Sequence, residues 1–152
     1  MNGSAFRFRL ERVRAIRERK ERLAQQELAE AISRRSSTEA ELRAADLRLE
    51  HAREQQRTAA GEPHAVGATD LLARQSFLER VEAQRGQHVR ELAQREAEVA
   101  DRDTELTVAA REHEMLNRLS NRQRGEHDRE TARRELGVLD EIATTRHGRS
   151  SA

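Results

Sequence analysis

Residues that could do acid–base or metal chemistry are plentiful in this chain, but their spacing is not that of a catalytic site. The 152-residue sequence holds 28 Asp and Glu, six His and no Cys, which excludes disulfides and cysteine zinc sites. The segment EHEM, Glu112 to Met115, resembles a metal-binding helix motif without its second histidine. The glycines are scattered and lack phosphate-loop spacing. We predict no catalytic residues, no metal site and no cofactor, and therefore no enzyme.

Basic charge is concentrated near the start of the chain. Residues 7–22 contain seven Arg and one Lys against three Glu, although the net charge of the whole chain is only +1. Such a stripe suits nucleic acid or a protein with acidic residues. Because the sequence has three Phe, no Tyr and no Trp, it offers little base stacking. We therefore predict a protein partner and no nucleic acid.

The remaining composition indicates long helices. Ala, Glu, Arg, Leu and Gln dominate, and a single Pro occurs in the chain. Between Leu78 and Leu116 apolar residues recur at heptad spacing, which is typical of a helix in a coiled coil. The seam positions held by apolar or small residues are Leu78, Val81, Leu92, Val99, Leu106, Ala109 and Leu116, and those held by polar ones are Arg85, His88, Arg95, Arg102 and His113. The polar side chains either lie flat across a narrow seam with solvated charges, or partly face an outside partner.

The first half carries a less regular stripe. No helix breaker occurs between Phe6 and Ala60, so we predict one helix there. Its large apolar residues (Leu10, Val13, Ile16, Leu23, Leu28 and Ile32) do not keep heptad spacing, which predicts a seam that drifts or stutters. Beyond Ser33 the spacing becomes regular, at Arg35, Thr38, Leu42, Ala45, Leu49 and Ala52.

The segment between the two stripes, Gly61 to Asp70, predicts a reversal of the chain. It contains two glycines and the only proline, Pro63, with Thr69 and Asp70 as candidate N-caps of a second helix. We predict an all-α fold, a single domain over residues 1–152, in which two long helices form an antiparallel coiled-coil hairpin. Helix 1 covers about 6–60, the turn about 61–70, helix 2 about 71–145, and a disordered tail 146–152. The competing interpretation is a continuous parallel dimer with a kink.

Helix 2 is predicted to extend past helix 1. Antiparallel counting places Phe6 opposite residue 124 or so, which leaves about 125–145 without a partner in the chain. That segment carries an apolar stripe of Ala132, Leu136, Leu139, Ile142 and Ala143, weakened as a helix by Gly125 and Gly137. The stripe is expected to order on binding a partner, or alternatively to mediate self-association.

Three stretches together resemble one family, the FliJ proteins of flagellar type III export. They are FRFRLERV at the start, QSFLERVEAQRGQHVREL after the turn, and TARRELGVLDEIATTRH near the end. The resemblance implies a non-enzymatic antiparallel coiled coil that binds the flagellar export ATPase ring and the cytoplasmic domain of the export gate. It also implies, for some members, binding of chaperones of late export substrates.

The resemblance places an export-gate contact just after the turn, at Phe77, Val81, Gln84 and His88, with Gln84 where the family has a small residue. The ATPase-ring contact is predicted from the charge and the apolar stripe, at Arg12, Arg14, Arg122, Arg129, Leu136, Leu139 and Ile142. Because no segment is apolar enough for a membrane span or a signal peptide, we expect a cytoplasmic protein. The resemblance implies that it is peripheral to the inner membrane through its partners. The alternatives are an injectisome stalk, a general coiled-coil scaffold and a nucleic-acid-binding coil.

Overall fold

The protein is built from two long helices. The computed structural model describes residues 5–61 and 67–150, where α1 spans Glu11–Ala60 and α2 spans Ala68–Ser150, with no strand in those ranges. The predicted all-α class, with two long helices packed as a hairpin, is confirmed. The reversal predicted around Pro63 lies outside the described residues.

The chain divides into two compact units, each containing a stretch of both helices. The turn unit is Leu23–Thr107, and the terminal unit is Met1–Arg22 together with Val108–Ala152. Within each unit the pairing is antiparallel, because residue numbers fall along α2 as they rise along α1. In the turn unit the paired residues are Glu27–Arg102, Arg34–Glu98, Asp46–Arg85 and Arg53–Glu82. In the terminal unit they are Phe6–His127, with Phe6 in the segment before α1, Arg14–Asn117 and Glu21–His113.

The seam of α2 follows the predicted heptad positions. Every predicted seam residue from Leu78 to Leu116 is buried or half-buried, including the polar ones. Opposite them, the regular stripe predicted for the second half of α1 is also on the inside, with Thr38, Ala45, Leu49 and Ala52 buried. Small side chains dominate this core, so the two helices meet along a narrow seam rather than around a thick apolar centre.

The first half of α1 corrects the predicted drift. The heptad continues without a stutter, with Ala24 and Ala31 buried. The large apolar residues lie mostly off the seam, since Ile16 is 61% and Leu23 54% exposed. Leu28 alone of the predicted stripe is at a half-buried seam position within the regular heptad. Closely packed helices favour small residues at the centre of the seam. The prediction was wrong because it placed the largest apolar residues there.

The start of α1 also differs from the prediction. The helix begins at Glu11 rather than Phe6, after a turn in which the Glu11 amide donates to the Phe8 carbonyl at 3.2 Å. Phe8 is buried and Phe6 half-buried, while Ala5, Arg7 and Arg9 are exposed. Alternation with a period of two is a property of extended backbone, not of a helix. Residues 5–8 precede α1 without regular secondary structure, in a conformation that turns both Phe rings inward.

Both ends of α2 lie outside their predicted positions. The helix begins at Ala68, where the Gly67 carbonyl accepts from the Asp70 amide at 3.0 Å, so Gly67 takes the N-cap position predicted for Thr69 or Asp70. At the other end α2 continues to Ser150, through the start of the predicted disordered tail. No proline interrupts this stretch, and a single glycine weakens a helix without ending it. Ser151 and Ala152 lie outside the described residues.

Candidate protein-interaction surfaces

The four residues assigned to the export gate form one stripe on the early turns of α2. They are spaced four, three and four apart, which places them along one edge of the helix. Phe77 and Gln84 are exposed, Val81 is 5% exposed in the seam, and His88 is half-buried beside it. The structure therefore brings the four together, but only Phe77 and Gln84 present most of a side chain to solvent.

Phe77 is 47% exposed and shares a shallow depression with α1. The depression is also lined by Ala52, Gln55, Thr58 and Arg74, and the Arg74 guanidinium donates to the Gln55 carbonyl at 3.5 Å. The ring thus has one side toward α1 and another toward solvent. This is an arrangement that can fix an aromatic side chain while leaving part of it available to a partner.

The arginines predicted for the ATPase contact all lie in the terminal unit but differ in their surroundings. Arg14 donates to Glu11 at 2.6 Å and to Asn117 at 3.4 Å, and the Glu11 hydrogen bond raises the pKa of Arg14. Arg122 pairs with Glu126 at 3.0 Å. Arg12 and Arg129 are exposed, with no ion-pair partner among the residues that the structure describes. The latter two are therefore the more available for an acidic partner.

Two further arginines, Arg7 before α1 and Arg124 in α2, join this surface. Arg7 and Arg124 line a depression with Phe6, Phe8 and Arg12. The sequence prediction did not include Arg7 and Arg124 among the contact residues.

The apolar residues predicted on the late part of α2 face solvent. Leu136 is 66%, Leu139 61% and Ile142 47% exposed. All side chains from 132 to 145 are exposed in the structure. Exposed large aliphatics at helical spacing indicate a surface that gains free energy when a partner covers it.

A second set of exposed apolar residues was not predicted. Val13 and Ile16 of α1, with Val108 and Met115 of α2, are all exposed within the terminal unit. Val108 and Met115 are seven residues apart and so share one face of α2. That spacing is visible in the sequence, but the heptad analysis considered only the seam.

Four of the five polar seam residues have a hydrogen-bond partner within the chain. Arg85 donates to Asp46 at 2.5 Å, Arg102 to Glu27 at 3.1 Å, and the His113 ring lies 2.6 Å from Glu21, each across the two helices. Arg95 pairs with Glu91 and Glu98 of its own helix, and the Glu98 hydrogen bond raises the pKa of Arg95. These contacts favour the prediction that seam arginines lie across the seam with their charges near solvent.

One polar cluster stands apart from this pattern. The ligand atoms of Glu41, His88 and Glu91 lie within 4.8 Å of one another. Glu41 comes from α1 and the other two from α2, so no spacing within one helix could have predicted the group. Two carboxylates and an imidazole are side chains that can together bind a metal ion.

None of the helices in the described ranges has a stretch long and apolar enough to cross a membrane. No curated protein and no solved structure matches the chain. The family model described as "Flagellar FliJ protein" matches residues 6–152, which is nearly the whole chain. FliJ proteins are non-catalytic components of the flagellar type III export apparatus. The antiparallel helices and the family match together assign the chain: it belongs to the FliJ family.

Proposed function

We propose that this protein is a non-enzymatic stalk of the flagellar export apparatus that couples the export ATPase ring to the export gate. The family match over residues 6–152 is the observation that carries the proposal. A two-helix coiled coil suits such a role because contacts along the seam keep the two helices paired. The outer faces of both helices remain available to partners.

The terminal unit supplies the surface for the ATPase ring. It combines the exposed guanidinium groups of Arg12 and Arg129 with the exposed Leu136, Leu139 and Ile142. Arginine charges steer an acidic partner and apolar side chains hold it once docked. Arg14 and Arg122 belong to this surface too, since exposed ion pairs of their kind exchange partners at little cost.

The late part of α2 extends beyond α1 in this proposal. The Phe6 ring meets the His127 ring at a centroid distance of 5.7 Å, three residues beyond its predicted counterpart. The side chains from 132 to 145 are exposed. An apolar helix face in this condition is recognised by the helix-in-groove mode, in which a groove of the partner buries it.

The turn unit supplies the surface for the cytoplasmic domain of the gate. Phe77 provides a partly exposed aromatic anchor and Gln84 a polar contact one heptad further on. Val81 and His88 support them from the seam. Aromatic anchors surrounded by polar groups dominate the free energy of many protein interfaces.

The same proposal gives the protein its location and its other partners. It acts in the cytoplasm and is peripheral to the inner membrane because it binds gate and ATPase. Chaperones of late export substrates are further candidate partners. The exposed apolar residues Val13, Ile16, Val108 and Met115 are not part of the two main contacts and are candidates for this binding.

Co-purification with the export ATPase tests the proposal. The tagged chain should retain the ATPase, and the double variant Arg12→Glu, Arg129→Glu should bind about tenfold more weakly, a loss of ~1.4 kcal/mol. The matched control is Arg48→Glu with Arg90→Glu, which reverses one exposed arginine on each helix of the turn unit. Equal loss in both variants would show that only net charge matters, and failure of the wild-type chain to retain the ATPase would reject the proposal.

A further inference from the structure

We propose that Glu41, His88 and Glu91 form a binding site for a divalent transition-metal ion of the zinc class, bridging α1 and α2 in the turn unit. The three ligand atoms lie within 4.8 Å of one another. This inference does not rest on the export function, although His88 also belongs to the proposed gate contact, because it is argued only from contacts between α1 and α2 in the turn unit.

The distances fit a metal ion better than a direct hydrogen bond. The His88 Nδ1 and Glu41 Oε2 atoms are 3.6 Å apart, beyond hydrogen-bond range. Two tetrahedral ligands at zinc–ligand distances of about 2.0–2.2 Å lie roughly 3.3–3.6 Å apart. A cation between the two atoms therefore needs only small movements of either side chain.

The imidazole of His88 supplies a second, independent observation. Its Nδ1 atom is buried and has no hydrogen-bond partner among the described residues. His113 is also a seam histidine, but its Nδ1 atom lies 2.6 Å from a Glu21 carboxylate oxygen. A buried ring nitrogen without a partner costs free energy, and binding a metal ion would remove that cost.

The donor set selects the kind of cation. One imidazole nitrogen with two carboxylates is typical of zinc and similar ions, whereas calcium and magnesium take oxygen ligands. Two carboxylates with a neutral imidazole balance the charge of a divalent ion. Because Glu41 is exposed, a water molecule can complete the tetrahedron.

The nearest cation that competes for the site is Arg95. One of its nitrogens lies 3.4 Å from Glu91, and another lies 3.2 Å from Glu98. Metal binding at Glu91 would leave Arg95 paired with Glu98 alone. This competition predicts an affinity below that of structural zinc sites with four protein ligands.

Thermal unfolding followed by far-ultraviolet circular dichroism tests the site, with zinc chloride as the probe. A cation that binds only the folded protein at about five times its dissociation constant should raise Tm by roughly 2–4 °C. Glu41→Gln and His88→Gln should each weaken binding by about tenfold or more, since even loss of an outer-sphere partner costs that much. Magnesium chloride should leave Tm unchanged.

Two control variants keep the test specific. His51→Gln removes an exposed histidine that contacts Gln55, and Glu96→Gln removes an exposed carboxylate of α2. Both should keep the full zinc response. No rise in Tm for the wild-type chain, or a rise that survives Glu41→Gln and His88→Gln, would overturn the proposal. If His88→Gln lowers helicity by itself, Glu41→Gln decides, because that carboxylate is at the exposed edge of the seam.

Discussion

Two arginines hold the carboxylate of Glu98 in the turn unit. Arg34 of α1 donates to one oxygen at 2.7 Å, and Arg95 of α2 donates to the other at 3.2 Å. These contacts, led by the Arg34 hydrogen bond, lower the pKa of Glu98 from its ordinary value of 4.5. A carboxylate with a lowered pKa stabilises the fold above its unfolded-state pKa and loses that contribution as pH falls through the folded-state value.

The Glu98→Gln variant should therefore unfold at a lower temperature than wild type at pH 7. The difference should shrink as pH falls below 4.5, where the wild-type carboxylate becomes protonated. Thermal unfolding at a series of pH values measures it, with Glu50→Gln, an exposed carboxylate of α1, as the control. A difference in Tm that is constant with pH would mean that the ion pairs do not stabilise the fold.

Phe77 offers the sharpest test of the proposed gate contact at the residue scale. The double change Phe77→Ala, Val81→Ala should abolish binding to the gate domain and retain helicity. Because Val81 is buried, its replacement should also cost about 1–2 kcal/mol of stability. Phe77→Ala alone should lose most of the affinity with a smaller loss of stability, since this ring is half exposed.

Binding to the gate domain in a titration and circular dichroism of each variant separate the two roles. Leu72→Ala, another exposed apolar residue early in α2, is the matched control and should bind normally. If Phe77→Ala unfolds the protein, then the role of Phe77 is structural and its ring closes the seam near the turn. Unchanged affinity would remove Phe77 from the gate surface.

At the scale of the element, the seam shows which features the sequence could predict. Heptad spacing was sufficient for α2 and for α1 beyond Ser33, because there the seam residues match the regular spacing whatever their size. Early α1 was mispredicted because Ile16 and Leu23 are larger than the seam residues Ala24 and Ala31. Large apolar residues are the expected core of a thick globular domain, whereas two closely packed helices favour small residues between them.

The sequence could not predict which side chains pair between the two helices. The pairing of Arg85 with Asp46 or of Arg102 with Glu27 depends on the relative register of α1 and α2. The Glu41, His88 and Glu91 group has the same origin. Composition and periodicity within one helix fix neither register nor cross-helix partners. The candidate interface residues could be chosen from charge and family resemblance, but not their exposure.

Gly137 tests the proposed conformational behaviour of late α2. An added Cβ atom at Gly137 would meet nothing within 4 Å, so Gly137→Ala introduces no clash. It should stabilise this stretch of helix by about 0.5–1 kcal/mol and slow amide exchange around residues 132–145. The reverse change, Ala132→Gly, should accelerate exchange. Equal exchange rates in both variants would show that the segment is held by contacts other than its own helix propensity.

At the scale of the whole molecule, the two units carry different surfaces. The terminal unit contains the arginines and exposed apolar residues assigned to the ATPase, and the turn unit contains those assigned to the gate. The proposed coupling requires simultaneous binding of the two partners, and it predicts that variants in one unit leave the other contact unchanged.

The most direct measurement is a titration of the export ATPase with the intact chain, with the chain lacking residues 132–152, and with Leu136→Ser, Leu139→Ser. The intact chain should bind, the truncated chain should not, and the double variant should lose about 2–3 kcal/mol of binding free energy, 30-fold or more in Kd. Leu47→Ser, an exposed leucine of the turn unit, is the control and should bind like wild type. Unchanged ATPase affinity after removal of residues 132–152, with α1 and the rest of α2 still helical, would contradict the proposed role of the terminal unit.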